Sequence, residues 1–192
     1  GELKQKLADK NGVDANQIVI GAGSTEILRV TALHLLNNRS DGENTIVANS
    51  PGYEGMNQYA ANLGAKIKRV SVLDDLSADL SGLKKEVNQG AAILNICNPN
   101  NPTGVIVAEK ELTPFCQEMS ENTFVFDDEA YHEFVTNPHY GSMLPLVKQG
   151  HNVLVTRTFS KLFGLAGIRI GYGIGPAKLV SELNRLQTGT VN

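Results

Sequence analysis

Cysteine is scarce in this sequence. Its two cysteines, Cys97 and Cys116, lie 19 residues apart without a CxxC pair, which excludes a disulfide framework and a zinc site built from cysteine pairs. We therefore expect no metal, and we expect both thiols to be buried as small hydrophobic residues. Such cysteine usage is typical of a reducing, cytoplasmic compartment.

Long runs of one residue class are also missing. No stretch reaches the roughly 18 consecutive apolar residues of a membrane span, and the 17 Lys and Arg residues are scattered among 20 Asp and Glu residues. We therefore expect neither a membrane nor a nucleic acid as partner. Hydrophobic residues make up 41% of the chain and charged residues 19%, and no low-complexity tract occurs, which excludes an intrinsically disordered chain.

Short apolar segments alternate with helical patterns along the chain. This alternation predicts a three-layer α/β/α sandwich around a mostly parallel, seven-stranded sheet. The runs AAILNI and NVLV are apolar on both faces, as expected for strands covered by helices on each side. No repeat or linker divides the chain, so we predict a single domain over residues 1–192. The predicted strands are 17–20, 45–48, 66–72, 91–96, 123–127, 152–156 and 169–174, and the predicted helices are 2–10, 24–37, 55–63, 76–88, 109–120 and 176–187.

Ligands bind at the carboxyl ends of the strands in such sheets, so the loops after the strands are candidate sites. The first is Gly21-Ala22-Gly23-Ser24-Thr25, between a strand and a predicted helix. Its small residues allow close backbone approach, and the helix start offers free N–H groups to a phosphate. The spacing fits neither a P-loop nor GxGxxG. A tight turn with an N-cap residue is the alternative.

The second loop is Asn98-Pro99-Asn100-Asn101-Pro102-Thr103-Gly104, directly after the apolar run 91–96. Each proline restricts the residue before it, so the loop holds an amide side chain at a strand end with little freedom. An ordinary turn-rich loop is the alternative, although two Asn-Pro steps are more restrictive than a turn requires.

The third loop is Asp127-Asp128-Glu129-Ala130-Tyr131. A carboxylate at the end of a strand faces the ligand crevice, and a tyrosine three residues later reaches the same ligand. Because side chains alternate along a strand, only one of Asp127 and Asp128 faces that crevice. The other is a neighbouring support or an exposed acid. An N-cap Asp followed by an exposed acidic turn is the alternative for the whole loop.

The fourth segment ends a strand with Thr158, Ser160 and Lys161, and Arg169 follows eight residues after the lysine. Most lysines are solvated surface groups, but apolar surroundings make a lysine amine nucleophilic, as a Schiff-base lysine requires. We expect Lys161 to lie in such surroundings. Its apolar neighbours in the sequence are Phe159, Leu162, Phe163 and Leu165.

Together with Ser50-Pro51-Gly52-Tyr53, these segments closely resemble the fold-type I pyridoxal-phosphate enzymes, and in particular the class I and II aminotransferases. Within that family the chain is similar to the histidinol-phosphate aminotransferase group. The resemblance runs from about Val13 to Asn192. The motifs NPxNPTG, DEAY and Ser-Lys with an arginine eight residues on are specific in combination. The resemblance implies the mixed, mostly parallel sheet of the PLP-dependent transferase large domain.

The resemblance also implies pyridoxal 5′-phosphate as the cofactor. Lys161 would hold it as a Schiff base and then carry the proton at the substrate Cα. Asp128, which the Asp-x-x-Tyr spacing selects over Asp127, would pair with the ring nitrogen. Lys161, Asp128 and Tyr131 are thus the candidate catalytic residues. The other implied cofactor contacts are Asn101 and Tyr131 at the phenolic oxygen, Tyr53 stacked on the ring, and Gly23, Ser24, Thr25, Thr158, Ser160 and Arg169 around the phosphate.

The implied reaction moves an amino group from an amino acid, or a histidinol-phosphate-like amine, to a 2-oxo acid in a homodimer. Family members also have a smaller second domain and an amino-terminal segment, and neither matches this sequence. We therefore expect the chain to be the large domain, without the arginine that binds the substrate carboxylate. Two alternatives stay open: a decarboxylase or C–S lyase of the same fold, and a non-catalytic module that binds the cofactor or a partner chain.

Overall fold

Seven strands form one mixed sheet in the computed structural model, which describes residues 1–38 and 44–188. Their order across the sheet is β1-β7-β6-β5-β4-β2-β3, where the strands are β1 (Ile18–Ala22), β2 (Thr45–Ser50), β3 (Lys66–Ser71), β4 (Ile93–Cys97), β5 (Phe124–Asp128), β6 (Val153–Thr158) and β7 (Ile170–Ile174). Strand β7 is antiparallel to both of its neighbours, whereas the other neighbouring pairs are parallel. The predicted mixed sheet is confirmed.

Helices cover both faces of this sheet. One layer contains α2 (Ser24–Asn37), α3 (Gly55–Asn62) and α7 (Ala177–Leu186), and the other contains α1 (Glu2–Asn11), α4 (Leu80–Val87), α5 (Glu109–Met119) and α6 (Leu144–Lys148). Strand side chains alternate between the two layers. In β6, for example, Val153 and Val155 pack into one apolar core and Leu154 into the other. The three-layer prediction is therefore confirmed.

One predicted helix begins later than the pattern indicated. The prediction placed a helix at 76–88, but α4 begins at Leu80. Leu76 has a left-handed φ of 67°, and the Leu73 N–H donates to the Ser77 carbonyl over 2.9 Å, so this stretch forms a turn. The side chain of Asp79 then accepts a hydrogen bond from the Gly82 N–H and caps the helix.

The other predicted helices and strands have bounds within two residues of those observed. Helix α6 was not predicted, because its five residues are too few to display a helical period. Short 3-10 turns occur at Ala15–Gln17, His132–Phe134 and Ala166–Ile168. Among the helices of the described residues, none is both long enough and apolar enough to cross a membrane.

The sheet brings the ends of several strands to one edge. Because β4, β5 and β6 are parallel, their carboxyl ends lie side by side, with Cys97 beside Asp128 and Asp128 beside Thr156. Strand β1 leads into α2 at the same edge, and the start of β7 returns to it, with Ala22 beside Ile170. The four sequence segments that carry the candidate motifs therefore converge here.

Candidate active site

A cavity of about 130 Å³ opens at this edge of the sheet. Of the eleven predicted cofactor-binding residues, ten line it, and Gly23 is the exception. Cys97 and Ala130 also line it and were not predicted. The complete lining is Ser24, Thr25, Tyr53, Cys97, Asn101, Asp128, Ala130, Tyr131, Thr158, Ser160, Lys161 and Arg169. Residues from the four motif segments and from the segment of Tyr53 thus form one pocket.

Gly23 shapes the pocket without lining it. Its φ is 76°, a left-handed value that favours glycine. Its N–H donates to the carbonyl oxygen of Arg169 over 3.1 Å, and a Cβ at this position would collide with the Arg169 guanidinium. A Cβ on Gly171 would likewise meet the backbone of Gly23 and Ser24. Two glycines therefore allow the start of α2 to approach β7 and the arginine closely.

The loop is a tight strand-to-helix turn whose N-cap is Gly23, as the alternative interpretation also predicted, and this glycine provides no side-chain cap. The first turn of α2 therefore presents backbone N–H groups at the pocket together with the hydroxyl-bearing side chains of Ser24 and Thr25. The positive end of the helix dipole lies at the same place. With the Arg169 guanidinium beside it, this is an anion cradle.

The loop 98–104 is fixed by the buried Asn100. Its side-chain amide donates to the carbonyl oxygen of Pro51 over 3.1 Å and to the Thr103 hydroxyl over 2.9 Å. Its side-chain oxygen accepts a hydrogen bond of 3.2 Å from Asn49. The neighbouring Asn101 is thereby presented to the pocket, where its amide donates to the Tyr131 hydroxyl over 3.3 Å.

Asp128 lies at the end of β5 with its side chain toward the pocket, and it is 5% exposed. Its Oδ1 accepts two hydrogen bonds of 3.2 Å, one from the Ala130 N–H and one from the Thr156 hydroxyl. Burial raises the pKa of Asp128 to about 6, against the lowering effect of these two donors and of the Lys161 charge. A cationic partner at the pocket side of this carboxylate would be strongly favoured.

Asp127 does not face the pocket, as strand alternation predicted. It is 1% exposed, so the expectation of an exposed acid is wrong, and its role as a neighbouring support stays a prediction. Its Oδ1 has no hydrogen-bond partner. Burial and the neighbouring Glu129, to which it is hydrogen-bonded, raise its pKa well above the usual value. Asp127 is thus a buried carboxyl group beside Glu129, with a pKa raised by burial and by that neighbour.

Lys161 is exposed, and so is the whole segment from Lys161 to Arg169. The expected apolar enclosure of Lys161 is wrong: Leu162, Phe163 and Leu165 are 51%, 42% and 39% exposed. These side chains point away from the core because the segment leaves the sheet after β6. The Lys161 amine lies 5.2 Å from the centroid of the Tyr131 ring, on the pocket side.

Arg169 closes the segment with a left-handed φ of 59°. Its guanidinium donates to the carbonyl oxygen of Ala166 over 2.9 Å and to the Ser160 hydroxyl over 3.4 Å. Ser160 in turn donates from its N–H to the Thr158 hydroxyl over 3.1 Å. The arginine, the two hydroxyls and the start of α2 thus surround one position in the pocket.

Two lining residues, Cys97 and Ala130, were not predicted, although their places in the sequence could have indicated them. Cys97 is the last residue of β4, and Ala130 stands between Asp128 and Tyr131. Cys97 is half-buried rather than buried, which corrects the expectation for this thiol, whereas Cys116 lies in the core as expected. Burial, together with the Asp128 charge, raises the pKa of Cys97 well above its usual value, so it stays a neutral thiol.

The pocket therefore combines four chemical functions. An anion cradle lies at one side, a buried carboxylate lies between β4 and β6, a free primary amine stands at the exposed side, and the aromatic side chains of Tyr53 and Tyr131 form walls. Such a set suits a flat, phosphorylated molecule with a basic ring atom and a group that reacts with amines.

Comparison with known proteins identifies relatives over nearly the whole chain. A family model described as aminotransferase class I and II matches residues 1–191. The chain is 38% identical over 182 residues to histidinol-phosphate aminotransferase 1 of Bacillus cereus, and 39% identical over 184 residues to a histidinol-phosphate aminotransferase 2 of that species. Each alignment covers 95% of this chain and 48% of the relative, so the chain spans about half the length of these curated relatives.

Solved structures match the fold with the same coverage. Histidinol-phosphate aminotransferase from Sinorhizobium meliloti, in complex with pyridoxal-5′-phosphate, superposes with a TM-score of 0.87 at 30% identity, over 97% of this chain and 50% of that one. The histidinol-phosphate aminotransferase from Clostridium acetobutylicum has a TM-score of 0.83 at 22% identity, over 97% and 53%, and this similarity concerns the fold.

Proposed function

Because the chain belongs to the class I and II aminotransferases, we propose that its pocket binds pyridoxal 5′-phosphate. We further propose that the whole protein transfers an amino group between an amino acid, or a histidinol-phosphate-like amine, and a 2-oxo acid. The observation that carries the proposal is the convergence of Lys161, Asp128 and Arg169 on one pocket. The chain covers about half of its curated relatives, so the reaction is proposed for the whole protein.

The donor set of the pocket fits this cofactor. The anion cradle at the start of α2, with Arg169 and the Ser160 hydroxyl, suits a phosphate group. The buried Asp128 carboxylate suits a protonated ring nitrogen, because burial raises its pKa and a cation in contact would stabilise the charged form. Tyr53 offers an aromatic face to the ring, and Lys161 offers the amine that would bind the cofactor aldehyde covalently.

When bound, the cofactor supplies an electron sink that stabilises negative charge at the substrate Cα. The work of the protein's own residues follows from their positions. Lys161, exposed at the mouth of the pocket, would act as the base that moves a proton at the substrate Cα. Asp128 would keep the ring nitrogen protonated through a charge-assisted hydrogen bond. Tyr131, oriented by Asn101, would donate to the phenolic oxygen.

We also propose that residues 1–192 form one cofactor-binding domain and that the protein works as a homodimer. The exposed apolar side chains Leu162, Phe163, Leu165 and Ile168 lie beside Lys161, and contiguous apolar surface of this kind is typical of an interface. A second copy of the chain is the partner that the family membership favours. Sedimentation of the wild-type chain and of Phe163→Glu tests this: the variant should be monomeric at concentrations where the wild type is dimeric. A monomeric wild type would refute the homodimer for this chain.

The experiment that tests the cofactor site is a titration of the purified chain with pyridoxal 5′-phosphate, followed by visible absorbance. We expect a visible band that survives dialysis, is lost on borohydride reduction and is missing in Lys161→Ala. Lys178→Ala, which removes an exposed lysine on α7, is the matched control and should retain the band. If Lys161→Ala retains the band as Lys178→Ala does, Lys161 is not the attachment residue.

The reaction is tested next, on a protein that shows the band. Amino acids and histidinol phosphate are offered as donors with 2-oxoglutarate as acceptor, and the products are measured by mass spectrometry. Transamination yields the keto product of the donor and an equal amount of glutamate. Release of CO₂ without glutamate would instead indicate a decarboxylase of the same fold, and a stable band without turnover would indicate a binding module.

A further inference from the structure

A buried ion pair lies on the side of the sheet edge opposite the pocket. Glu129 is fully buried and Arg157 is 6% exposed. One carboxylate oxygen of Glu129 accepts a hydrogen bond of 2.8 Å from Nε of Arg157 and forms an ion pair of 2.8 Å with its Nη2. The other accepts a hydrogen bond of 2.9 Å from the Met143 N–H. Both side-chain oxygens of Glu129 therefore accept hydrogen bonds.

Arg157 joins this pair to two further elements. Its Nη1 donates to the side-chain oxygen of Asn11 at the end of α1 over 3.2 Å, and its Nη2 donates to the Ser142 hydroxyl before α6 over 3.0 Å. The guanidinium is thus held from three directions, and the orientation of β6 at this residue is fixed. A single lysine amine could not reach these partners in the same planar arrangement.

The ion pair is adjacent to Asp128 in the chain and across the sheet, because Glu129 follows Asp128 and Arg157 follows Thr156, the strand partner of Asp128. The carboxylate of Asp128 has two hydrogen-bond donors, the Ala130 N–H and the Thr156 hydroxyl. Ala130 follows Glu129 in the chain, and Arg157 follows Thr156. Glu129 also donates its own N–H to the Thr156 carbonyl over 2.9 Å. Each donor to Asp128 is therefore the chain neighbour of one member of the ion pair.

Fold stability alone does not account for this arrangement. Removing a glutamate and an arginine from water is costly, and apolar residues of similar volume often give equal or greater stability. The pair instead has directional hydrogen bonds to Met143, Asn11 and Ser142, and burial and Glu129 raise the pKa of the adjacent Asp127. A cluster with such directional hydrogen bonds suits the holding of a neighbouring group in a fixed position.

We propose that Glu129 and Arg157 are positioning residues that fix the Asp128 carboxylate at the pocket. The inference rests on the proposed function, since Asp128 is there the partner of the cofactor's ring nitrogen. The two residues do not line the pocket, so they act through the Ala130 and Thr156 donors. Loosening the pair should leave the fold in place and release Asp128.

The first test uses the cofactor-free chain and amide hydrogen exchange measured by NMR. The variants are Glu129→Gln, Arg157→Met and the double variant Glu129→Leu/Arg157→Met, which replaces the pair by apolar groups. We expect the Ala130 amide to exchange at least tenfold faster in all three, with the amides of β4 unchanged in the double variant. Leu83→Ala, a buried change in α4, is the control that destabilises the core without touching the pair. Acceleration of Ala130 only in step with β4 would overturn the proposal.

The second test measures pyridoxal 5′-phosphate binding and the pH dependence of its visible band. We expect the double variant to bind the cofactor at least tenfold more weakly and to show a shifted band profile, at a melting temperature close to that of the wild type. Leu83→Ala should melt earlier and keep the wild-type binding and profile. A double variant with wild-type exchange, binding and profile refutes the positioning role. A wild-type chain that binds no cofactor refutes the proposed function for this chain, and the exchange data still decide whether the pair positions Asp128.

Discussion

The Arg169 guanidinium occupies the space where a side chain on Gly23 would lie, and the Gly23 N–H donates to the Arg169 carbonyl oxygen over 3.1 Å. The glycine and the arginine are 146 positions apart in the chain. Their contact joins the start of α2 to the start of β7, and it places the cation beside the helix terminus that presents free N–H groups.

Gly23→Ala should therefore disturb the anion cradle. The added Cβ would displace the guanidinium, and the left-handed backbone would cost about 1–2 kcal/mol of stability. We expect pyridoxal 5′-phosphate to bind at least tenfold more weakly. Gly64→Ala is the matched control, because Gly64 has a φ of 87° and no atom close to a built Cβ. It should lose similar stability and keep wild-type binding; equal binding losses in the two variants would contradict this explanation.

Arg169→Gly should separate binding from folding. Glycine accepts the left-handed φ of 59° without strain, so we expect the free energy of unfolding to stay within about 1 kcal/mol of the wild type. Loss of the charged donor should weaken phosphate binding by about tenfold to a hundredfold. The affinity of Arg169→Lys should fall between those of the wild type and Arg169→Gly, since a lysine keeps the charge but makes no bidentate contact. Calorimetric titration with pyridoxal 5′-phosphate and urea unfolding measure the two effects, and a variant that binds like the wild type would exclude Arg169 from the phosphate site.

Asp128 should make the cofactor-free chain less stable as the pH rises. Its pKa is about 6 in the folded chain against an ordinary 3.8, so between these values the folded state binds more protons than the unfolded state. Stability attributable to this group therefore falls from about pH 4 to about pH 6, by about 3 kcal/mol in total. Asp128→Asn keeps the acceptor oxygen and removes the titration. We expect it to exceed the wild type in stability at pH 8 and to match it near pH 4.

Urea unfolding at a series of pH values checks this expectation. Asp75→Asn is the control, because Asp75 is exposed and its pKa is lowered by hydrogen bonds from Ser77. The control should retain the decrease in stability between pH 4 and pH 6. Parallel stability profiles for the wild type and Asp128→Asn would show that Asp128 titrates normally.

Alanine substitutions at two neighbouring asparagines should affect different properties, stability at Asn100 and the bound cofactor's spectrum at Asn101. Asn100→Ala removes the hydrogen bonds that tie the loop 98–104 to Asn49 and Pro51, and we expect a loss of about 2–3 kcal/mol of stability because buried polar partners are left unsatisfied. Asn101→Ala removes one bond to Tyr131 in the pocket and should cost under about 1 kcal/mol while altering the spectrum of the bound cofactor. Thermal unfolding and absorbance distinguish the two, and equal destabilisation would mean that Asn101 is also a structural anchor.

Several features of this protein were determined by local sequence. The alternation of strands and helices could be predicted, because apolar periodicity and turn residues act over a few positions. The choice of Asp128 over Asp127 also agreed between the motif spacing and the strand period, and the structure directs Asp128 to the pocket and Asp127 away from it. Motif residues that directly follow strands could be grouped into one site, because parallel strands end at the same edge.

Other features were decided by the tertiary structure. The exposure of Lys161 and its apolar neighbours, the place of Cys97 in the pocket, and the contact of Arg157 with Glu129 and Asn11 depend on which distant segments pack together. No local pattern carries that information, because burial is a property of the neighbours that surround a residue in space. The sequence by itself determined which residues could form the site, and packing of the sheet and its helix layers decided which of them are held, which are exposed and what supports them from behind.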